Sequence, residues 1–325
     1  MQKVKMFGSL LEENLPPQIE DSCYGEPTIR LYGTTNGRET DFNLNAEILS
    51  RHLMLIGGTG CGKTNTFFHL VHQLKEQMDD ADVMIIFDTK GDYHSKFYNG
   101  ETDVILSTAE KYRKDSFVWN IFSEILVDGA RQNVIAENIS EIAYGLFSEA
   151  ISKNNSNPFF PNAARDLFAS ILTCLYRKTG DSEDLKESYL NNRFLKKYLD
   201  SLNVRALREL LKNQPDQIAV MNYVGDGNND QGLGVFAELQ SVIRKIFVGA
   251  FADKGNFSIR RFVRERKART LFIEYDLTRG ATLTPIYKLL IDLALKEAMC
   301  RSEGERGNVY VFCDEFKLLP DLIHI

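Results

Sequence analysis

None of the five cysteines (Cys23, Cys61, Cys174, Cys300 and Cys313) stands in a C-x-x-C pair, and all lie far apart in the 325-residue chain. That spacing argues against a disulfide framework or a zinc site and fits a reducing compartment. No apolar run approaches the roughly 20 residues that span a bilayer. Met1-Gln2-Lys3-Val4-Lys5 leads into no signal-peptide core. The expectation is a cytoplasmic protein with no intrinsic membrane span. Internal repeats and low-complexity tracts are absent, and 43% hydrophobic with 26% charged residues is ordinary for a globular chain. There is also no excess of positive charge: the net value is −6, unlike a bulk polyanion binder. Basic residues still gather at Lys111-Tyr112-Arg113-Lys114, at 193–197, at 205–212 and most densely at 260–269. Solvated helix faces and turns are the plain reading of each cluster. In an assembled ring, some would line a channel for nucleic acid.

What is present is a complete phosphate-binding loop. Residues 57–64 read Gly57-Gly58-Thr59-Gly60-Cys61-Gly62-Lys63-Thr64, the form G-x-x-x-x-G-K-T. Glycines let backbone N–H groups close on phosphate oxygens, Lys63 neutralises β/γ charge, and the Thr64 hydroxyl is a ligand for Mg²⁺. With Asn65, these eight residues are the candidate nucleotide contacts. Leu53-Met54-Leu55-Ile56 before the loop reads as a buried strand. Residues 63–78 read as a helix with Phe67, Leu70, Val71 and Leu74 on one face, its N-terminus facing the phosphates. Cys61 contributes mainly its backbone N–H. His69 and His72 lack a third ligand nearby and are discounted as a metal site.

Residues 1–45 carry Pro16-Pro17, Gly25, Gly33 and Gly37 around short β-like pieces, with Thr35-Asn36-Gly37 as a turn between two strands. Further buried strands are expected at 83–87, 104–106, 270–275 and 309–313. Apolar runs separated by helices indicate a parallel α/β sheet covered on both faces. From 128 to 252 the pattern changes. Val134, Ile135, Ile139, Ile142, Leu146 and Phe147 recur at helical spacing, as do Ala164, Leu167, Phe168, Ile171 and Leu175. Turn signals at 154–161, 179–181 and 225–234 interrupt them. The expected organisation is a β lead-in at 1–45, a nucleotide-binding core at 46–127 and 253–325, and an all-α insertion at 128–252. A helix from Pro285 to Met299 is expected to pack on the sheet.

Val309-Tyr310-Val311-Phe312-Cys313-Asp314-Glu315 is an apolar strand ending in two acids, the Walker B pattern. Asp314 is expected to hold Mg²⁺, and Glu315 to orient or activate the attacking water. The adjacent acids, with no N/T-K-x-D element to read guanine, favour ATP. Asp88 and Asp92 close the second strand in Phe87-Asp88-Thr89-Lys90-Gly91-Asp92, on the side where parallel sheets face their ligand. Outer contacts to Mg²⁺ or water are one reading. A capped turn shaped by Gly91 is the other.

Taken together these residues resemble the coupling ATPases of type IV secretion and conjugation, the TraD/TraG-like branch of the HerA/FtsK superfamily of P-loop NTPases. The resemblance includes 57–64, 85–92, Trp119-Asn120-Ile121-Phe122, Asn157-Pro158-Phe159-Phe160 running into 163–168, Asn256-Phe257-Ser258-Ile259-Arg260, and Cys313-Asp314-Glu315-Phe316. It implies a RecA-like core with a helical insertion, a hexameric ring, ATP-driven DNA translocation, and secretion-channel or relaxase proteins as partners. It adds weight to Asp92, which joins Lys63 and Glu315 as candidate catalytic residues. It also implies core strands beyond the last residue, Ile325, so an incomplete sheet and weak turnover by the chain alone are expected. Two other readings stay open: an ATP-binding assembly module without processive hydrolysis, and a soluble relative acting in DNA processing or defence.

Overall fold

The computed structural model describes residues 27–324, apart from 36, 130, 155, 226–229, 278–279, 303 and 321. The features expected at Pro16-Pro17, Gly25 and Asn36, and part of the run 225–234, lie outside the described residues. Chain contacts divide the molecule into two compact units, 1–78 and 79–325.

In the first unit β1 (Ile29–Thr35) and β2 (Arg38–Leu44) form the expected antiparallel hairpin, with Thr35 opposite Arg38. That register leaves two residues for the turn, and Gly37 takes the left-handed φ of 76° that such a turn needs. α1 (Ala46–Leu49) follows, capped by the Asn45 side chain, and then α2 (Lys63–Gln77), which buries Leu70, Val71 and Leu74 of the expected face and leaves Phe67 half-buried. Gln73 and Gln77, one turn apart on α2, reach the edge of β1. The Gln73 amide accepts from Arg30 N (2.9 Å) and donates to Arg30 O (3.0 Å), while Gln77 donates to Thr28 O (2.9 Å). Side chains thus cover an edge that would otherwise invite pairing.

Residues 53–56 depart from the expected buried strand. The segment belongs to neither sheet, and Met54 and Ile56 are 73% and 87% exposed. An apolar run becomes a strand only where a sheet edge receives it. Here 53–56 pair with no strand, and the outer edge of β1 is covered by Gln73 and Gln77.

The second unit opens with β3 (Val83–Asp88), α3 (Asp92–Phe97), β4 (Val104–Ser107), a 3₁₀ turn (Glu110–Tyr112) and α4 (Ile121–Ile125). Helices follow: α5 (Gln132–Lys153), α6 (Phe159–Thr179), α7 (Glu183–Tyr189), α8 (Asn192–Ser201), α9 (Val204–Leu211), α10 (Ile218–Val224) and α11 (Asp230–Ile246). Then come α12 (Ile259–Glu265), β5 (Arg269–Glu274), α13 (Gly280–Met299) and β6 (Val309–Cys313). The four strands are those predicted, and they pair in parallel in the order β4-β5-β3-β6. β3 and β4 are buried at every position, whereas β6, at the end of the order, is half-buried throughout. The continuous Val83-Met84-Ile85-Ile86-Phe87 run suits a strand covered on both faces. α13 begins at Gly280, ahead of its expected start at Pro285. So close to the helix N-terminus, a proline forfeits one backbone bond, to the carbonyl of residue 281. The fold is α/β, a parallel sheet interrupted by an all-α insertion.

The two connections between sheet and insertion run side by side. Asn120 N donates to Phe257 O (3.0 Å) and Phe257 N to Val118 O (3.1 Å), around a Trp119–Phe257 bridge. Gly255 permits this approach, since a Cβ there would lie 2.1 Å from Val118 O. Fully buried Glu124 accepts from Trp119 Nε1 (3.0 Å), Ser258 Oγ (2.8 Å) and Ile259 N (2.5 Å). Asn192 donates to Trp119 O (2.8 Å) and Phe251 O (2.9 Å) and accepts from Ile121 N (3.0 Å). These bonds satisfy backbone groups that burial removes from water. Most of the dense basic run at 260–269 is engaged close by: Arg260 and Arg264 pair with Glu297 and Asp128, Arg266 with Glu305, and Arg269 with Glu265.

Candidate active site

The phosphate loop lies in the first unit. Gly60 and Gly62 sit at φ 77° and 92°, where a side chain is strained, and a Cβ on Gly57 would meet Cys61 Sγ at 2.4 Å. Backbone geometry thus accounts for Gly60 and Gly62, and the Cys61 side chain crowds Gly57. α2 starts from Gly62 with no side-chain cap and no acid in its first turn. Its leading N–H groups and dipole therefore favour an anion. Lys63 Nζ is folded onto the loop's own carbonyls, 2.8 Å from Gly57 O and 2.9 Å from Gly58 O. The ammonium is held at the loop by bonds that an incoming phosphate oxygen can replace. Thr64 is half-buried, whereas Thr59, Cys61 and Asn65 are exposed, as is Gly58.

The acids lie in the second unit, across the carboxyl ends of its strands. Ser107, Glu274 and Asp88 share one register row on β4, β5 and β3, and Asp314 continues it past the end of β6, where its N–H donates to Phe87 O (3.2 Å). A parallel sheet with this strand order presents such a row to its ligand side.

Asp88 is fully buried, and its carboxylate accepts four backbone N–H bonds: Oδ1 from Lys90 (3.1 Å) and Gly91 (3.0 Å), Oδ2 from Tyr93 (2.9 Å) and His94 (3.2 Å). Of the two readings of this segment, the capped turn describes Asp88. Gly91 takes φ 78° at the α3 N-cap, leaving Asp92 exposed as the first helical residue.

Glu274 is the residue that the sequence reading missed. It is 3% exposed, directly beside Asp88, and burial pushes its pKa up to about 8, with the Asp88 charge adding and the Tyr112 hydroxyl and Lys111 ammonium offsetting. The available signal is a lone acid after the apolar Leu271-Phe272-Ile273 run, which no motif marks.

Asp314 is half-buried, and its pKa is raised, first by burial and then by the neighbouring Glu315 charge, with Lys90 opposing. A carboxylate desolvated among acids is one that a divalent cation stabilises. Glu315 is exposed and stands at φ 52°, ψ 50°, a left-handed backbone that non-glycine residues rarely adopt. A carboxylate such as Asp314 is the kind of oxygen donor that Mg²⁺ takes, with phosphates and water supplying most of its shell. Among the described residues no cluster of three His, Cys, Asp or Glu forms a metal cage. His69 is exposed, and His72 faces Glu76 at 3.5 Å. Among the described residues no helix is long and apolar enough to cross a membrane.

The family model for the type IV secretion-system coupling protein DNA-binding domain matches residues 41–325. The chain is 22% identical over 311 residues to the coupling protein TraD of Escherichia coli (strain K12), covering 89% of this chain and 38% of that protein. Over 108 residues it is 30% identical to the DNA double-strand break repair helicase HerA of Sulfurisphaera tokodaii, covering 30% of this chain and 20% of the helicase. The chain thus spans well under two thirds of either curated relative. Among solved structures, the plasmid coupling protein TrwB in complex with ADP and Mg²⁺ matches with a TM-score of 0.67 at 18% identity, over 94% of this chain and 64% of that one. The trigonal TrwB form with sulphate matches with a TM-score of 0.65 at 19% identity, over 87% and 61%. These likenesses establish a shared P-loop NTPase fold.

Proposed function

The chain belongs to the type IV secretion-system coupling-protein DNA-binding-domain family, and from that premise we propose that it is an ATP-hydrolysing motor that moves DNA in conjugative transfer. The observation that carries this reading is the pairing of two kinds of chemistry in one chain. One is a glycine loop in left-handed backbone with an uncapped helix N-terminus, suited to phosphates. The other is a row of acids ending in a half-buried Asp314 and a strained, exposed Glu315.

In this reading the N–H groups of 57–65 bind the phosphates and Lys63 exchanges its loop carbonyls for β/γ oxygens. Thr64 and Asp314 would hold Mg²⁺, which when bound neutralises phosphate charge. Glu315 accepts a proton from the attacking water, and Asp92, exposed at the start of α3, helps to orient it. The nucleotide and Mg²⁺ in solved TrwB complexes support the choice of cofactors. ATP over GTP rests on the absence of a guanine-reading element in the sequence. A homo-hexameric ring, and docking to secretion-channel or relaxase proteins at the inner face of the membrane, follow from family membership and belong to the same proposal.

Nucleotide binding and turnover by the purified chain test the reading. Lys63→Ala should lose both, and Glu315→Gln should bind ATP while losing turnover by about 10²-fold or more. Binding without turnover in the unaltered chain, with or without DNA, would instead mean an incomplete motor or the assembly module.

A further inference from the structure

No motif singles out Glu274, and the hydrolytic chemistry proposed above does not use it. Yet it stands in register beside Asp88, with both carboxyl groups out of water. Two such groups on adjacent strands do not both carry charge without a counter-ion between them. Asp88 spends its oxygens on four backbone N–H donors, an environment that favours the carboxylate there. The proton therefore falls to Glu274. Its Oε1 is buried and has no hydrogen-bond partner among the described residues, which a neutral acid tolerates better than a carboxylate does.

The surroundings show what this acid touches. An atom at the Cβ position of Gly91 would lie 2.8 Å from Tyr112 Oη, 3.1 Å from Lys111 Nζ and 3.4 Å from Glu274 Oε2. The end of β5, the 3₁₀ turn after β4 and the 88–92 turn thus converge over one glycine. Only that glycine's missing side chain lets them meet.

We propose that Glu274 is a positioning residue: it holds the 88–92 turn from the β5 side and, through it, fixes Asp92 at the start of α3. The proposal rests on the motor reading, because Asp92 has a task only if the site hydrolyses nucleotide. The acid acts uncharged, hydrogen-bonded to Asp88 and Tyr112, with the Lys111 ammonium close by. Losing it frees the turn to relax, and a misplacement of ~1 Å at a catalytic group costs on the order of 10²-fold in rate.

The test uses the full chain at pH 7, with ATP turnover and amide hydrogen exchange measured together. Glu274→Gln keeps shape and neutrality, so kcat should stay within about threefold of the unaltered chain, whereas Glu274→Ala should lower kcat about tenfold or more at unchanged KM. In the Ala variant, the Lys90, Gly91, Tyr93 and His94 amides that bond Asp88 should exchange about tenfold faster. Tyr112→Phe removes one hydroxyl and keeps the ring; it should shift both readouts the same way by a smaller factor. A Gln variant as impaired as the Ala variant would overturn the proposal, since the charge would then be what matters. So would unchanged kcat and exchange in both the Ala and Phe variants. If the unaltered chain shows no turnover, the motor reading fails, and exchange alone decides the positioning role. Faster exchange in Ala but not in Gln upholds it; equal exchange overturns it.

Discussion

Glu315 is held at φ 52° although it is not glycine, and such left-handed backbone costs about 1–2 kcal/mol. Strain at the residue proposed to activate water sets function against stability. Glu315→Gly should therefore stabilise the fold by about 0.5–1 kcal/mol, net of the extra freedom glycine has when unfolded, while abolishing turnover. Urea unfolding and an ATPase assay read the two effects, and a destabilised variant would contradict the account of strain. Glu274 gives the second residue-scale prediction. Its pKa rises from 4.5 unfolded to about 8 folded, so between those values the folded state keeps a proton that the unfolded state has lost. Stability at this site then falls with rising pH by about 1.4 kcal/mol per unit, levelling off above the folded pKa. Glu274→Gln cannot ionise and should flatten that segment of the profile. Urea midpoints across pH 4.5–8 with the same slope in both proteins would refute the assignment.

At the scale of elements, the 88–92 turn and the paired connections at 118–120 and 255–259 hold the second unit's working parts in place. Gly91→Ala meets both a left-handed φ and the Tyr112 hydroxyl at 2.8 Å, so a loss of at least about 1–2 kcal/mol is expected. Ser258 Oγ caps α12 by accepting from Arg261 N (3.1 Å) and donates to buried Glu124. Ser258→Ala should thus cost about 1–2 kcal/mol, and Ser258→Thr should recover most of it. Denaturant midpoints measure all three, and a neutral Ser258→Ala would show that Glu124 finds another donor. The four sheet strands and the insertion helices were legible in sequence because apolar runs and helical spacing report burial directly. Residues 53–56 form no strand: the same signal says nothing about whether a sheet edge receives the run. The G-x-x-x-x-G-K-T loop and the Asp314-Glu315 pair stand out in sequence because the chemistry proposed for them fixes residue types at short spacing. Glu274 was not, since its partners Asp88 and Tyr112 reach it only through strand pairing and a turn that follows a different strand.

For the whole molecule, DNA handling cannot rest on bulk charge. The net charge is −6, and four of the arginines in the densest basic run are engaged in ion pairs with Glu297, Asp128, Glu305 and Glu265. If DNA is the cargo, its influence must appear as a change in the rate of ATP hydrolysis, carried between insertion and sheet across the connections that Glu124 and Asn192 join. The most direct test is ATP turnover by the purified chain with and without single- and double-stranded DNA, beside Glu315→Gln. Stimulation by DNA that the variant loses is the predicted result. Hydrolysis at the same rate with and without DNA would contradict the motor account.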